Sequence, residues 1–198
     1  MKGKLFVISG PSGVGKNTIL NRVVLESEHV RYSVSATSRA PRPGEKPGSS
    51  YFFVSRARFE EMIAQDELLE HAEYVGNYYG TPLAPIREAM AQGMDVVMDV
   101  EVIGAKKIKA RVPEAVLVFV ATSSMEMVRQ RLEKRGDVSP KAMEERLERA
   151  TWEYSQAGSY DYIVLNDDVD QAVQELQAIM LAEKCKTMDR IHLLKEEL

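Results

Sequence analysis

The segment Gly10-Pro11-Ser12-Gly13-Val14-Gly15-Lys16 constrains this chain more than any other. It follows a short apolar run, Leu5-Phe6-Val7-Ile8, and opens a stretch of helical character that continues to about Glu26. Strand, glycine-rich turn and helix in that order are the setting of a phosphate-binding loop. The glycines let backbone N–H groups converge on phosphate oxygens, and the helix N-terminus adds partial positive charge. Lys16 is then placed to neutralise the outer phosphates of a nucleoside triphosphate. A dinucleotide fingerprint fits less well, because Gly-x-x-Gly-x-Gly followed by lysine is the wrong spacing. One position departs from the motif: a Ser or Thr that ligates Mg²⁺ is expected after the lysine. Here Asn17 stands there with Thr18 next, and both are candidate ligands, directly or through water.

Continuous apolar runs recur along the chain. Val96-Val97-Met98, Val116-Leu117-Val118-Phe119-Val120 and Tyr162-Ile163-Val164-Leu165 are separated by helical stretches. Such runs predict strands buried on both faces of a parallel sheet, the α/β layout with right-handed crossovers. Helix starts are readable too. Ser123-Ser124-Met125-Glu126 reads as a capping box. Thr81-Pro82 and Ser139-Pro140 each read as an N-cap followed by proline at the first helical position. The last helix is expected from near Asn166, with Val169, Ala172, Val173, Leu176, Ile179 and Met180 on one face. Beyond Lys184 the pattern predicts an exposed helical extension.

Two regions interrupt the alternation. Residues 33–81 read as short strands, including Tyr32-Ser33-Val34-Ser35 and Tyr51-Phe52-Phe53-Val54, with one helix from Arg56 to Asp66. A turn-rich loop, residues 39–48, joins the two strands. Residues 129–149 read as a second, helical insertion dense in arginine.

Composition excludes several classes. With 198 residues, 44% hydrophobic and 28% charged, the chain can bury about 70% of its surface without disulfides or metals. Cys185 is the single cysteine, which excludes an intrachain disulfide and a multi-cysteine zinc site. Lys and Arg number 26 against 30 Asp and Glu, so there is no basic excess for bulk nucleic-acid binding. The apolar stretch Ala115–Ala121 is far short of a membrane span, and the N-terminal run is too short for a signal peptide. The expectation is a cytoplasmic protein without nucleic-acid or membrane partners, monomeric or homo-oligomeric.

Several blocks resemble the guanylate kinases. They are residues 33–45 (Ser-Val-Ser-Ala-Thr-Ser-Arg-Ala-Pro-Arg-Pro-Gly-Glu), Tyr51-Phe52-Phe53-Val54 and Gly76-Asn77-Tyr78-Tyr79-Gly80-Thr81. Arg131-Leu132-x-x-Arg135-Gly136 and Asn166-Asp167-Asp168 extend the match to nearly the whole chain. The resemblance implies the three-layer P-loop fold of the nucleoside monophosphate kinases: a parallel core sheet, an inserted mixed α+β GMP-binding subdomain and a helical lid. Its core would comprise residues ~1–32, ~82–124 and ~151–198, its GMP-binding subdomain ~33–81 and its lid ~125–150. The implied activity is phosphoryl transfer from ATP to GMP or dGMP with Mg²⁺, in purine nucleotide metabolism and GMP recycling.

The same resemblance implies site roles. Gly10 to Thr18 would bind ATP, with Asn166 touching adenine or capping the last helix. Arg39, Arg42, Tyr51 and Tyr79 would hold the GMP phosphate. Ser35, Glu70 and Thr81 would contact guanine, whose adjacent N1–H and 2-amino group suit a carboxylate. Asp99 and Glu101 would end the core strand beside GMP, with Asp99 a candidate Mg²⁺ ligand. Lys16, Arg39 and the lid arginines Arg131, Arg135 and Arg146 would stabilise the transferring phosphoryl group. Departures from the family pattern are Asn17, Glu101 for a usual Asp, Ile103 for a usual Gln and His71 for a common Trp. Two rivals stand beside this reading: a kinase for another phosphorylated acceptor, and a non-catalytic binding module. The intact glycine-rich loop with its lysine argues against the second.

Overall fold

The computed structural model describes residues 2–135 and 140–194. In chain order the strands are β1 (Leu5–Ser9), β2 (Val30–Tyr32), β3 (Ala36–Thr37), β4 (Phe52–Phe53), β5 (Leu68–Tyr74), β6 (Asn77–Pro82), β7 (Asp95–Asp99), β8 (Val116–Ala121) and β9 (Tyr162–Leu165). The helices are α1 (Lys16–Leu25), α2 (Arg56–Ala64), α3 (Leu83–Ala91), α4 (Val102–Arg111), α5 (Met125–Arg135), α6 (Pro140–Ser155), α7 (Val169–Lys184) and the short α8 (Thr187–Arg190). A 3₁₀ turn, Ile191–Leu194, follows α8.

The core is a five-stranded parallel sheet in the order β2-β7-β1-β8-β9. Its apolar runs sort by the period of two. Phe6 and Ile8 of β1 pack with α1 and α7, together with Val97 of β7 and Val118 of β8. Leu5 and Val7 face the other way, onto α3 and α4, with Val96 and Met98. Helices on both faces make three layers, as runs buried on both sides require. The predicted face of α7 is the buried one: Ala172, Val173, Leu176 and Met180 sit in the core, with Val169 and Ile179 packed at its edge.

A second, mixed sheet, β4-β3-β6-β5, carries α2 through Phe59 and Met62. The expected strand Tyr32–Ser35 is split between the two sheets. β2 ends at Tyr32 in the core, Ser33–Ser35 bridge, and β3 begins at Ala36 in the second sheet. Of the second expected strand, Phe52 and Phe53 form β4, while Tyr51 makes an isolated bridge with Pro47.

Other local expectations also shift. Thr81 is not an N-cap: it lies in β6, α3 starts at Leu83, and Pro82 precedes it. The start of α5 is held by a single serine, with Ser124 Oγ accepting from Met127 N at 3.3 Å. The Ser123 amide instead donates to Asp167. Asp168, rather than Asn166, caps α7 by accepting from Gln171 N at 2.9 Å. Ser139 lies outside the described residues, and Pro140 is the first residue of α6. The extension after Lys184 is exposed as expected, and Lys4 holds it to the sheet through Asp189 at 2.7 Å.

Candidate functional site

Strand order reverses at β1, and in open α/β sheets ligands bind at the carboxyl ends of the strands near such a point. β1 delivers the loop 10–15 there and β7 delivers Asp99 beside it. Gly10 is the sharp bend: a Cβ there would sit 2.1 Å from the Val120 carbonyl oxygen. Gly15 is left-handed, with φ +89°, and a Cβ would meet Asn166 Nδ2 at 2.4 Å. Gly10 is therefore demanded by close backbone approach, and Gly15 by its left-handed backbone and the Asn166 side chain packed against it. Lys16 Nζ folds back over the loop, 2.6 Å from Gly10 O and 3.8 Å from Asp99 Oδ1. Ser9 Oγ donates to Val100 O at 2.9 Å and ties the end of β1 to the β7–α4 turn.

Two cavities open from this point. One, of about 570 Å³, lies between the loop and α6, and Gly10, Ser12, Lys16, Asp99, Glu101 and Arg146 line it. The other, of about 430 Å³, lies between the β7–α4 turn and the second sheet. Ser35, Tyr51, Glu70, Tyr79, Asp99 and Glu101 line that one. Tyr74, Asp99, Val100 and Glu101 border both, so the cavities form one furrow with a phosphate loop in one half.

In the second cavity Thr81 Oγ1 donates to Glu70 Oε1 at 2.8 Å. Oε2 lies 3.7 Å from where a Cβ on Gly104 would stand, an ordinary van der Waals distance that sets α4 against the carboxylate. Burial pushes the Glu70 carboxyl up, and the Thr81 hydrogen bond opposes it. Tyr51 and Tyr79 meet edge to face, ring centroids 6.2 Å apart. Arg39 stands 5.4 Å above the Tyr51 ring and binds Glu45 with two nitrogens, each at 2.9 Å. That fork-on-carboxylate geometry is also the one a phosphate takes. Arg39 holds the Glu45 carboxyl down at about 2, and the Arg42 amide adds to the effect. Arg42 itself donates only its backbone N–H among these contacts and is exposed.

In the first cavity burial pushes Asp99 up, opposed by Lys16. Asn17 is exposed and lines a separate concavity with Tyr32 and Ser49, of which Asp99 is no part. Thr18 is exposed on α1. The three expected Mg²⁺ ligands are therefore not brought to one cavity. Arg131 is committed to backbone: its nitrogens reach Val14 O at 3.1 Å and Asn166 O at 2.7 Å, pinning α5 to the loop. Asn166 is buried, with Nδ2 donating to Val14 O at 2.6 Å and Oδ1 unpartnered among the described residues. The side chain of Arg135 lies outside the described residues.

Glu101 sits at the start of α4 rather than at the strand end, and its carboxylate meets Arg149 at 2.9 Å. Arg149 also meets the buried Glu153. Neither Arg149 nor Glu153 stands out in the sequence as a site residue. The available signal is the spacing 146, 149, 153, which places the three residues on one helical face. Tyr32 likewise reads in the sequence only as a strand residue, yet its phenol is pushed up to about 12, first by burial and then by Asp99 and Tyr51.

Comparison with known proteins bears on this furrow. The family model described as guanylate kinase matches residues 2–183. The guanylate kinase of Desulfitobacterium hafniense is 47% identical over 93% of this chain and 92% of its own length. That of a Thermus thermophilus strain is 47% identical over 93% of this chain and 83% of its own. A crystal structure of guanylate kinase from Anaplasma phagocytophilum superposes with a TM-score of 0.74 at 33% identity, covering 94% of this chain and 88% of that one.

Proposed function

This chain belongs to the guanylate kinase family, and from that premise we propose how its furrow transfers a phosphoryl group from ATP to GMP, giving ADP and GDP. The observation that carries the acceptor assignment is the Thr81–Glu70 pair inside the 430 Å³ cavity. Thr81 satisfies one carboxylate oxygen and leaves the other for guanine, whose N1–H and 2-amino group are adjacent donors. Adenine lacks that pair, and its binding would strand a buried carboxylate, which is the stronger form of discrimination. Ser35 lines the same pocket, and dGMP is accepted because the recognition is of the base.

The acceptor is already an anion and needs no strong general base. The barrier is the approach of two polyanions. The glycine-rich loop and Lys16 take the ATP phosphates, Arg39 and Arg42 with Tyr51 and Tyr79 take the GMP phosphate, and Arg146 faces the space between. Arg131 acts through the loop it pins, and Asn166 braces that loop from below. Glu45 keeps the Arg39 fork formed and aimed. Lid residues ~125–150 and GMP-binding residues ~33–81 close on core residues ~1–32, ~82–124 and ~151–198 and exclude water.

Mg²⁺ fits the donor chemistry in one form. A single carboxylate plus phosphate oxygens and waters is a normal Mg²⁺ set, and of the two carboxylates at the shared border of the cavities Asp99 is the one beside Lys16, Glu101 being paired with Arg149. Asp99 would hold the ion there, where it would supply neutralisation of phosphate charge. Asn17 and Thr18, exposed on α1, would contribute only through water. Among the described residues no helix is long and apolar enough to cross a membrane, and a cytoplasmic place in purine nucleotide recycling suits the substrates. The test is ADP release with ATP and Mg²⁺, offering GMP, dGMP, AMP, CMP, UMP and ribose 5-phosphate in parallel. Turnover confined to GMP and dGMP supports the assignment; equal turnover of AMP would overturn the role of Glu70.

A further inference from the structure

We propose that Arg149 is a positioning residue of phosphoryl transfer, closing the furrow by gripping Glu101 on the opposite bank while Glu153 holds its guanidinium from its own helix. The proposal rests on the kinase assignment above.

Arg149 Nη2 lies 2.9 Å from Glu101 Oε2, and this contact joins α6 to the start of α4 across the 570 Å³ cavity. Its Nε lies 3.3 Å from Glu153 Oε1, one helical turn along. Glu153 is a carboxylate with only 7% of its side chain exposed. A buried carboxylate is costly unless paired, and Arg149 is the cation that pairs it. The exposed Glu101–Arg149 contact, by contrast, adds little to folding: the side chains are 73% and 51% exposed. A buried anion that steadies an exposed cation makes sense where the cation must hold one direction.

That direction crosses the furrow. Arg146 and Arg149 stand on one face of α6 and line the same cavity as Lys16 and Asp99. Fixing Arg149 to Glu101 therefore fixes the bank that presents Arg146 to the phosphates. It also gives Glu101 an occupation other than guanine: its carboxylate is turned toward α6, a reach that its second methylene supplies.

The experiment measures kcat and KM for both substrates in the unchanged protein, Arg149→Ala, Arg149→Lys, Glu101→Asp and the double variant Arg149→Ala/Glu101→Asp. Arg149→Ala is expected to lower kcat about tenfold, as a small misplacement does, while both KM values move less than about threefold. Glu101→Asp, one methylene shorter, should lower kcat severalfold alone and leave it unchanged in the Arg149→Ala background. Arg149→Lys should recover only part of kcat, because an ammonium cannot reproduce the two-sided fork. A kcat within twofold of the unchanged protein in Arg149→Ala overturns the proposal. So does a Glu101→Asp variant that raises KM for GMP at constant kcat, or effects that simply add in the double variant. Should Arg149→Ala fail to fold, full kcat in Arg149→Lys overturns it equally. Absence of GMP turnover in the unchanged protein would refute the kinase assignment instead, so the two failures are distinguishable.

Discussion

Glu70 shows how much one residue's meaning depends on its neighbour. On β5 it could be an ordinary strand-end charge, but the hydroxyl of Thr81 fixes one of its oxygens and burial raises its carboxyl. Guanine recognition then needs the ionised form with a free second oxygen. Glu70→Gln should weaken kcat/KM for GMP roughly 10- to 150-fold, the equivalent of 1.5–3 kcal/mol for a hydrogen bond to a charged group; steady-state kinetics with GMP check it. Glu45 makes an opposite statement. Its carboxyl is lowered from 4.5 to about 2 by Arg39. A depressed acid contributes stability that is complete above the unfolded value and lost as pH falls through the folded one. The contribution of the Arg39–Glu45 pair should therefore be whole above about pH 4.5 and drain away toward pH 2. Unfolding of the unchanged protein and of Glu45→Gln, followed across that range, should converge as pH falls; a constant gap would contradict it.

At the scale of elements, the β5–β6 hairpin carries a local conflict. Val75 and Gly76 both have positive φ, +47° and +71°, and a β-branched residue is poorly suited to the first position. Val75 is largely exposed, so little packing is lost by changing it. Val75→Asn should stabilise the fold by about 1 kcal/mol, the order of the left-handed penalty it relieves, read as a rise in Tm. The start of α7 offers the reverse experiment. Asp168 caps the helix, so Asp168→Ala should cost about 1 kcal/mol, or a Tm drop of roughly 2–4 °C in a protein of this size. The furrow is distant in chemistry from that cap, and kcat should stay within twofold.

At the scale of the molecule, ligand and fold are linked. On the proposed function ATP with Mg²⁺ would bind only the assembled loop, so at 100 times its Kd it should stabilise the protein by about 2.7 kcal/mol, a Tm rise of roughly 5–11 °C. The rise should shrink when Mg²⁺ is chelated; a shift indifferent to the metal would remove Asp99 from its assigned part. The two sheets also divide the labour. The parallel sheet is packed on both faces and supplies the glycine-rich loop and Asp99, while the mixed sheet supplies one wall of the pocket proposed for guanine. The furrow exists only because β7 returns to lie beside β1 after the second sheet has been built.

Local chemistry is what the sequence alone determined. The glycine-rich loop, the apolar runs and the amphipathic face of α7 were legible because each signal lies within a few neighbouring residues and reports directly on backbone freedom or burial. The resemblance assigned Glu70 and Thr81 to guanine and Tyr51 and Tyr79 to the GMP phosphate; in the structure Glu70, Tyr51 and Tyr79 line one cavity and Thr81 is bonded to Glu70. Tertiary structure decided the rest. Where β2 stops and β3 starts depends on which sheet each stretch joins, and its residues carry no mark of that choice. Thr81 and Asn166 have good cap chemistry, but the first lies in β6 with its hydroxyl on Glu70 and the second is buried with its amide on Val14 O. The Glu101–Arg149–Glu153 contact was invisible for a plainer reason: an ion pair is made by distance in space, and only the folded chain brings the start of α4 across from α6.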